Sequence, residues 1–202
     1  MRYYMFNKPG GCITARRDEV HKTVFDYLTS LDCEGLFPVG RLDKDTEGLL
    51  LITDDGHWNE DLMQPGRHVP KKYFFCATNT LSHEAVQRIE TGVEILEGAP
   101  KTLPAKLEII EEGLFWDLQG KTEYDIPPNL LQARYNPMVT FGFLTISEGK
   151  KHQVKRMLRS EGCRVLFLRR IQIGSLILDR KLPKGHYREL TEQERIQCMG
   201  LD

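Results

Sequence analysis

The sequence predicts an α+β protein, and three observations carry that expectation. Seven stretches, YYMFN, GLLLIT, KKYFFCAT, AKLEIIEE, GLFWDL, FGFLTIS and RVLFLRRIQIG, are short, rich in β-branched and aromatic residues, and bounded by Gly, Pro or Asp, as strands are. Helical pattern is confined to residues 21–31, 57–63, 82–92 and 150–161. The two kinds of segment do not alternate regularly, so a mixed or antiparallel sheet with helices against it is expected in place of a doubly wound parallel sheet.

The local signals place most of these elements one by one. YYMFN runs into NKPGG, whose Pro and Gly end a strand. In the third helical segment Ser82 is the cap, Gly92 the stop, and Ala85, Val86 and Ile89 share a face. In the fourth, Lys151, Lys155 and Arg159 fall on one face from a start at Lys150, Val154, Met157 and Leu158 face the core, and Gly162 ends the helix. His152 and Gln153 read as structural hydrogen bonders near its start. Residues 120–137, with Pro127, Pro128 and Pro137, read as a long surface excursion or insertion.

Composition narrows the function classes. The 202 residues are 40% hydrophobic and 28% charged, which excludes disorder and allows a substantial core. Five cysteines, odd in number and widely spaced, leave neither a disulfide framework nor a CxxC zinc site. Nothing resembles a signal-peptide core, and no window approaches the roughly 18 apolar residues of a membrane span, so the expectation is a cytoplasmic protein with no membrane partner. The formal net charge is -1. Its distribution is uneven: Lys150, Lys151, Lys155, Arg156, Arg159, Arg164, Arg169 and Arg170 lie close together, opposed locally only by Glu161. Such a run suits a polyanion as well as plain solvent.

The stretch GRLDKDTEGLLLITDDG, residues 40–56, concentrates the carboxylates. Asp43, Asp45, Glu47, Gly48 and Asp54 match positions 1, 3, 5, 6 and 12 of a calcium loop. Such a loop sits between helices, whereas here Gly35, Pro38 and Gly40 precede it and a strand-like LLLIT follows. Asp43 and Asp45 also suit a magnesium-dependent phosphoryl transfer, a glycosidase carboxylate pair, or a turn whose Thr46 and Glu47 satisfy loop amides. The other histidines lack metal-ligand spacing, and no metal ligand is assigned.

Five stretches in fixed order, NKPGG (7–11), GRLDKDTEGLLLITDDG, KKY (71–73), ISEGKKHQVKRML (146–158) and IGSLILDRKLPKGHYRELTEQE (173–194), together resemble the RsuA/RluB/RluE/RluF family of ribosomal RNA pseudouridine synthases. The resemblance covers nearly the whole chain. It implies a pseudouridine synthase fold, a mixed and mainly antiparallel sheet of two merged halves with a central catalytic cleft, and a reaction that needs no cofactor. A uridine loses its N1–C1′ bond, the uracil turns, and C5 is rejoined to C1′. By resemblance Asp43 is the essential carboxylate, Tyr73 the aromatic that packs on the base, Lys155 the cation paired with the carboxylate, and Arg41 the residue that fills the space of the extracted nucleotide.

Physical chemistry gives these roles content. Uracil is a poor leaving group, so an ionised Asp43 must either attack C1′ or remove a C2′ proton. A cation within about 4–6 Å keeps it ionised. A base flipped from its stack costs a few kcal/mol, and stacking on an aromatic returns roughly 1–3 kcal/mol. Lys71, Lys72, Lys150, Lys151, Arg156 and Arg159 are candidate RNA contacts, as are Arg164, Arg169 and Arg170. Gly40, Thr46, Glu47 and Gly48 are expected to hold the loop that aims Asp43.

Members of that family commonly carry a small basic S4-type RNA-binding domain ahead of the catalytic one. Here the expectation is a catalytic domain over residues 1–202, with an insertion at about 120–137 and no S4 module. The expected partner is ribosomal RNA, free or in an assembling subunit, met by a monomer. Small-subunit rRNA is favoured by TDDGHW and the HQVKRM segment. The rival reading is a non-catalytic RNA-binding or ribosome-assembly factor on the same scaffold.

Overall fold

The computed structural model describes residues 1–123, 126–127, 130–132 and 134–200; Pro128 lies outside the described residues. In chain order the elements are strand β1 (Tyr3–Lys8), a 3-10 turn (Val24–Tyr27), β2 (Phe37–Val39), β3 (Glu47–Thr53), helix α1 (Gly56–Met63), a second 3-10 turn (Pro65–Arg67), β4 (Lys71–Thr78), α2 (His83–Thr91), β5 (Lys106–Leu114), α3 (Phe115–Leu118), β6 (Met138–Ile146), α4 (Gln153–Ser160), β7 (Val165–Ile173), β8 (Leu176–Ile177), β9 (Tyr187–Glu189) and α5 (Glu192–Cys198). Antiparallel pairs dominate, but β3 pairs parallel with β7, so the sheet is mixed and the fold is α+β. Among the described residues no helix is long and apolar enough to cross a membrane.

The chain divides into two compact units, Met1–Lys71 with Arg169–Asp202, and Lys72–Leu168. In the first, β1 lies antiparallel on β3, with Met5 opposite Leu51 and Lys8 opposite Gly48. Every residue of β3 is buried, which is why its sequence reads as an unbroken apolar run. Met5, Leu49 and Leu51 point into a core with Leu62 of α1, Leu176 of β8 and Cys198 of α5. Asp55 starts α1 by accepting from Trp58 N at 3.1 Å, and Thr191 starts α5 in a reciprocal box with Glu194.

In the second unit β5 runs antiparallel to β6, with a bulge between Ile109 and Glu111. Its core gathers around Phe74, whose ring centroid lies 6.0 Å from those of Phe141 and Phe143. Ser82 and Gly92 bound α2 as their chemistry predicts: Ser82 Oγ accepts from Ala85 N at 3.2 Å.

Three sequence-based expectations need correction. Residues 21–31 hold only the short 3-10 turn Val24–Tyr27 instead of a helix, because Asp18 Oδ1 already accepts from Val20 N and His21 N, and Asp26 closes the turn on Thr23. GLFWDL is not a strand. Gly113 and Leu114 finish β5, then Phe115 and Leu118, three residues apart, are buried by a single helical turn. Helix α4 begins at Gln153, not Lys150, since His152 stands in the left-handed region at φ 54°. Lys151 therefore precedes the helix and does not share its face with Lys155 and Arg159.

Candidate active site

The carboxylate of Asp43 belongs to a turn in the first unit, between the end of β2 and the start of β3. Thr46 N donates to Asp43 O at 3.1 Å, closing the turn. On the approach, Thr14 Oγ1 donates to Leu42 O at 2.8 Å and lies 3.1 Å from Leu42 N, so a single hydroxyl fixes the residue before Asp43. Beyond Asp43, Lys8 Nζ donates to the backbone oxygens of Pro9 (3.1 Å), Lys44 (3.3 Å) and Thr46 (2.8 Å). Lys44 O also receives Gly11 N at 2.8 Å. Asp43 itself is half-buried on this fixed turn, with leucine on one side and exposed Lys44 on the other.

Lys8 has no exposed surface. Burial pushes its ammonium below the usual lysine range, against the opposing pull of Cys12, Glu47, Asp45 and Asp43. Neither Lys8 nor Thr14 was singled out by sequence reasoning. The available signal for Lys8 was a lysine ending a largely apolar strand, directly before a Pro-Gly turn.

The surrounding residues divide the labour. Gly40 has φ +68° and Gly48 φ +100°. A Cβ on Gly48 would stand 2.2 Å from Arg170 O, so the close approach of β3 to β7 needs glycine there. Glu47 is buried, and Lys184 Nζ lies 2.9 Å from its Oε2. Thr46 is buried as well, and it holds the turn through its backbone: its hydroxyl has no hydrogen-bond partner among the described residues.

These contacts also dispose of the calcium loop. Glu47 is the first residue of a buried strand, and Asp54 accepts from Arg2 N at 2.6 Å and Arg2 Nε at 2.8 Å, which holds its carboxyl below the usual range. Two of the oxygens such a loop would aim at an ion are thus spent on cations of the protein.

The remaining sequence-chosen residues are distributed as follows. Arg41 and Lys71 lie in the first unit; Tyr73, Lys72, Lys150, Lys151, Lys155, Arg156 and Arg159 lie in the second. Tyr73 sits on β4 and is 8% exposed, while Lys155 is half-buried on α4. Gln153 is structural, as expected: its Nε2 donates to Glu148 Oε1 at 2.8 Å and its Oε1 accepts from Lys150 N at 2.9 Å.

The basic residues fall into two groups. Lys71 turns inward, donating to Val69 O at 3.0 Å, and burial together with Arg170 brings its ammonium down to about 8. Lys72 pairs with Glu108 at 3.0 Å and lies 4.3 Å over the Phe143 ring. Lys150 donates to Lys101 O at 3.0 Å and pairs with Glu148 at 3.5 Å. Arg170 is 3% exposed and donates to Leu49 O. By contrast, among the described residues Arg41, Lys151, Arg156 and Arg159 have no ion-pair partner, and Arg41, Lys151 and Arg159 are exposed.

Residues 2–160 match the family model described as RNA pseudouridylate synthase. The chain belongs to the RNA pseudouridylate synthase family. It is 42% identical over 193 residues to YtzG of Bacillus subtilis (strain 168), named an uncharacterized RNA pseudouridine synthase, covering 95% of this chain and 71% of that one. A ribosomal small subunit pseudouridine synthase A of Yersinia pestis is 37% identical, with 96% of this chain and 71% of that one covered. A crystal structure of a pseudouridylate synthase superposes with a TM-score of 0.77 at 32% identity, over 98% of this chain and 73% of that one. The synthase is therefore an isomerase acting on RNA, and the α+β fold agrees with that of its solved relative.

Proposed function

We propose that the synthase converts one uridine of ribosomal RNA to pseudouridine, with Asp43 as its essential carboxylate. The observation that carries this reading is the immobilisation of Asp43: Thr14 holds Leu42 before it, and Lys8 holds Lys44 and Thr46 after it.

In the proposed reaction Asp43 acts at the ribose, either on C1′ or on the C2′ proton, while Tyr73 stacks on the flipped base. Lys155 is the cation that pairs with the carboxylate, and Arg41 occupies the space that the extracted nucleotide leaves. Lys151, Arg156 and Arg159 contact phosphates. Lys71, Lys72 and Lys150 serve the same surface less directly, since their ammonium groups already have partners. Small-subunit rRNA is the favoured target, supported by the name of the Yersinia pestis relative. The enzyme is proposed to work in the cytoplasm as a monomer on free rRNA or on an assembling subunit.

The test is to incubate rRNA transcripts and immature subunits with wild type and Asp43→Asn, then map carbodiimide-dependent stops of reverse transcription. One new stop with wild type and none with the variant is expected. Equal modification by both proteins would refute the assignment of Asp43. Lys155→Ala should slow the reaction more than it weakens RNA binding; a loss confined to binding makes Lys155 a phosphate contact.

A further inference from the structure

We infer that Lys184 is a positioning residue for Asp43, acting through Glu47 from the loop that joins Leu182 to His186. The inference deepens the proposed function and rests on it.

The turn bearing Asp43 has two ends. Thr14 and Lys8 hold the first and the middle, and Glu47 closes the second where β3 begins. Glu47 is 7% exposed, and its carboxylate lies over the Pro9–Gly10 bend, where a Cβ on Gly10 would stand 3.3 Å from Glu47 Oε1. Lys184 Nζ is 2.9 Å from Glu47 Oε2; among the described residues that oxygen accepts no aligned hydrogen bond, so the contact works by charge proximity.

Lys184 is itself held in place. Asn7, next to Lys8 on β1, is stapled to its loop three times: Gly185 N donates to Asn7 O at 2.8 Å, Asn7 N donates to His186 O at 3.0 Å, and Asn7 Nδ2 donates to Leu182 O at 2.7 Å. The loop is thus bonded directly to the strand that supplies Lys8. Removing the Lys184 ammonium leaves a buried carboxylate with weakened compensation, which relaxes by swinging toward water. That movement loosens the start of β3, and Thr46 N passes it to Asp43 O through their 3.1 Å bond.

The test compares wild type with Lys184→Ala and Lys184→Arg in single-turnover pseudouridylation, RNA affinity and amide hydrogen exchange across residues 43–48 of the RNA-free protein. Lys184→Ala is expected to lose about 10- to 100-fold in rate at saturating RNA, the size of loss that small misplacements of a reacting group produce, with affinity nearly unchanged. Lys184→Arg, which keeps the charge, is expected to recover most of the rate, and exchange at Lys44, Asp45 and Thr46 should accelerate only in the alanine variant. A wild-type rate in Lys184→Ala overturns the inference, as does a loss that appears only in affinity or an arginine variant as slow as the alanine one. Should Lys184→Ala not fold, Lys184→Gln replaces it under the same criteria. If wild type modifies no RNA, the proposed function fails, and the exchange measurement still decides whether Lys184 holds the turn.

Discussion

Lys8 Nζ reaches the backbone oxygen of Thr46 at 2.8 Å from a side chain that has no exposed surface. The burial of an ammonium is tolerated there because three carbonyl oxygens replace its water. Lys8→Met keeps the stem and removes the donors, stranding Thr46 O while Lys44 O retains Gly11 N. The expected loss is about 1–3 kcal/mol in a denaturant titration. The single-turnover rate should fall with it, because the oxygens released flank Asp43. An unchanged midpoint would mean that the ammonium does nothing for the turn.

Gly48 and Gly40 separate two costs. At Gly48 an added Cβ would stand 2.2 Å from Arg170 O and 2.9 Å from Arg169 Cγ, so Gly48→Ala must part β3 from β7. We expect a loss of about 3–5 kcal/mol, among the larger single-residue effects. At Gly40 the Cβ meets only the mobile end of Met63, Cε and Sδ at 3.0 Å, and Gly40→Ala should cost little beyond the left-handed backbone, about 1–2 kcal/mol. Thermal unfolding of the two variants side by side checks the order; equal losses would refute the β3–β7 argument.

Lys71 gives stability a pH dependence above neutrality. Burial, with Arg170 adding to it, brings its ammonium from 10.5 to about 8, and no carboxylate opposes the shift. Below pH 8 both folded and unfolded chains carry the proton, and the folded state bears the full burden of a buried charge. Between about 8 and 10.5 the folded state has shed it while the unfolded chain has not, so this burden shrinks as pH rises. Lys71→Met should therefore be more stable than wild type at pH 7, by no more than about 3 kcal/mol, and the advantage should fade toward pH 10. Denaturant midpoints across that range provide the check, and an advantage independent of pH would show that Lys71 does not titrate there.

What could be read in the sequence was local or periodic. The cap at Ser82, the stop at Gly92 and the apolar run of β3 each follow from neighbouring residues, and the structure places them accordingly. The stretch at 21–31 misled because Asp18 and Asp26 bond nearby amides in turns that compete with helix. In the site, GRLD marked the candidate carboxylate, but the side chains that fix its turn come from distant positions. Lys8, Thr14 and Lys184 meet residues 42–47 only after the chain has folded, and nothing in a single sequence pairs them. Charge counting failed in the same way: Arg170 and Lys150 belong to the basic run, yet one is buried and the other is engaged by Glu148.

Thr46 tests whether the turn depends on side chain or backbone. Its N–H closes onto Asp43 O and its carbonyl receives Lys8, whereas its hydroxyl is buried without a partner among the described residues. A hydroxyl in that condition costs stability, and valine has the same shape without it. Thr46→Val should unfold at or above the wild-type temperature and keep a rate within about threefold of it, unlike Lys8→Met, because both backbone bonds survive the change. A clear loss of stability would mean that the hydroxyl is bonded inside the protein. A lower rate at intact stability would instead mean that the hydroxyl helps to position Asp43, and that result would make Thr46 a positioning residue through its side chain as well as its backbone.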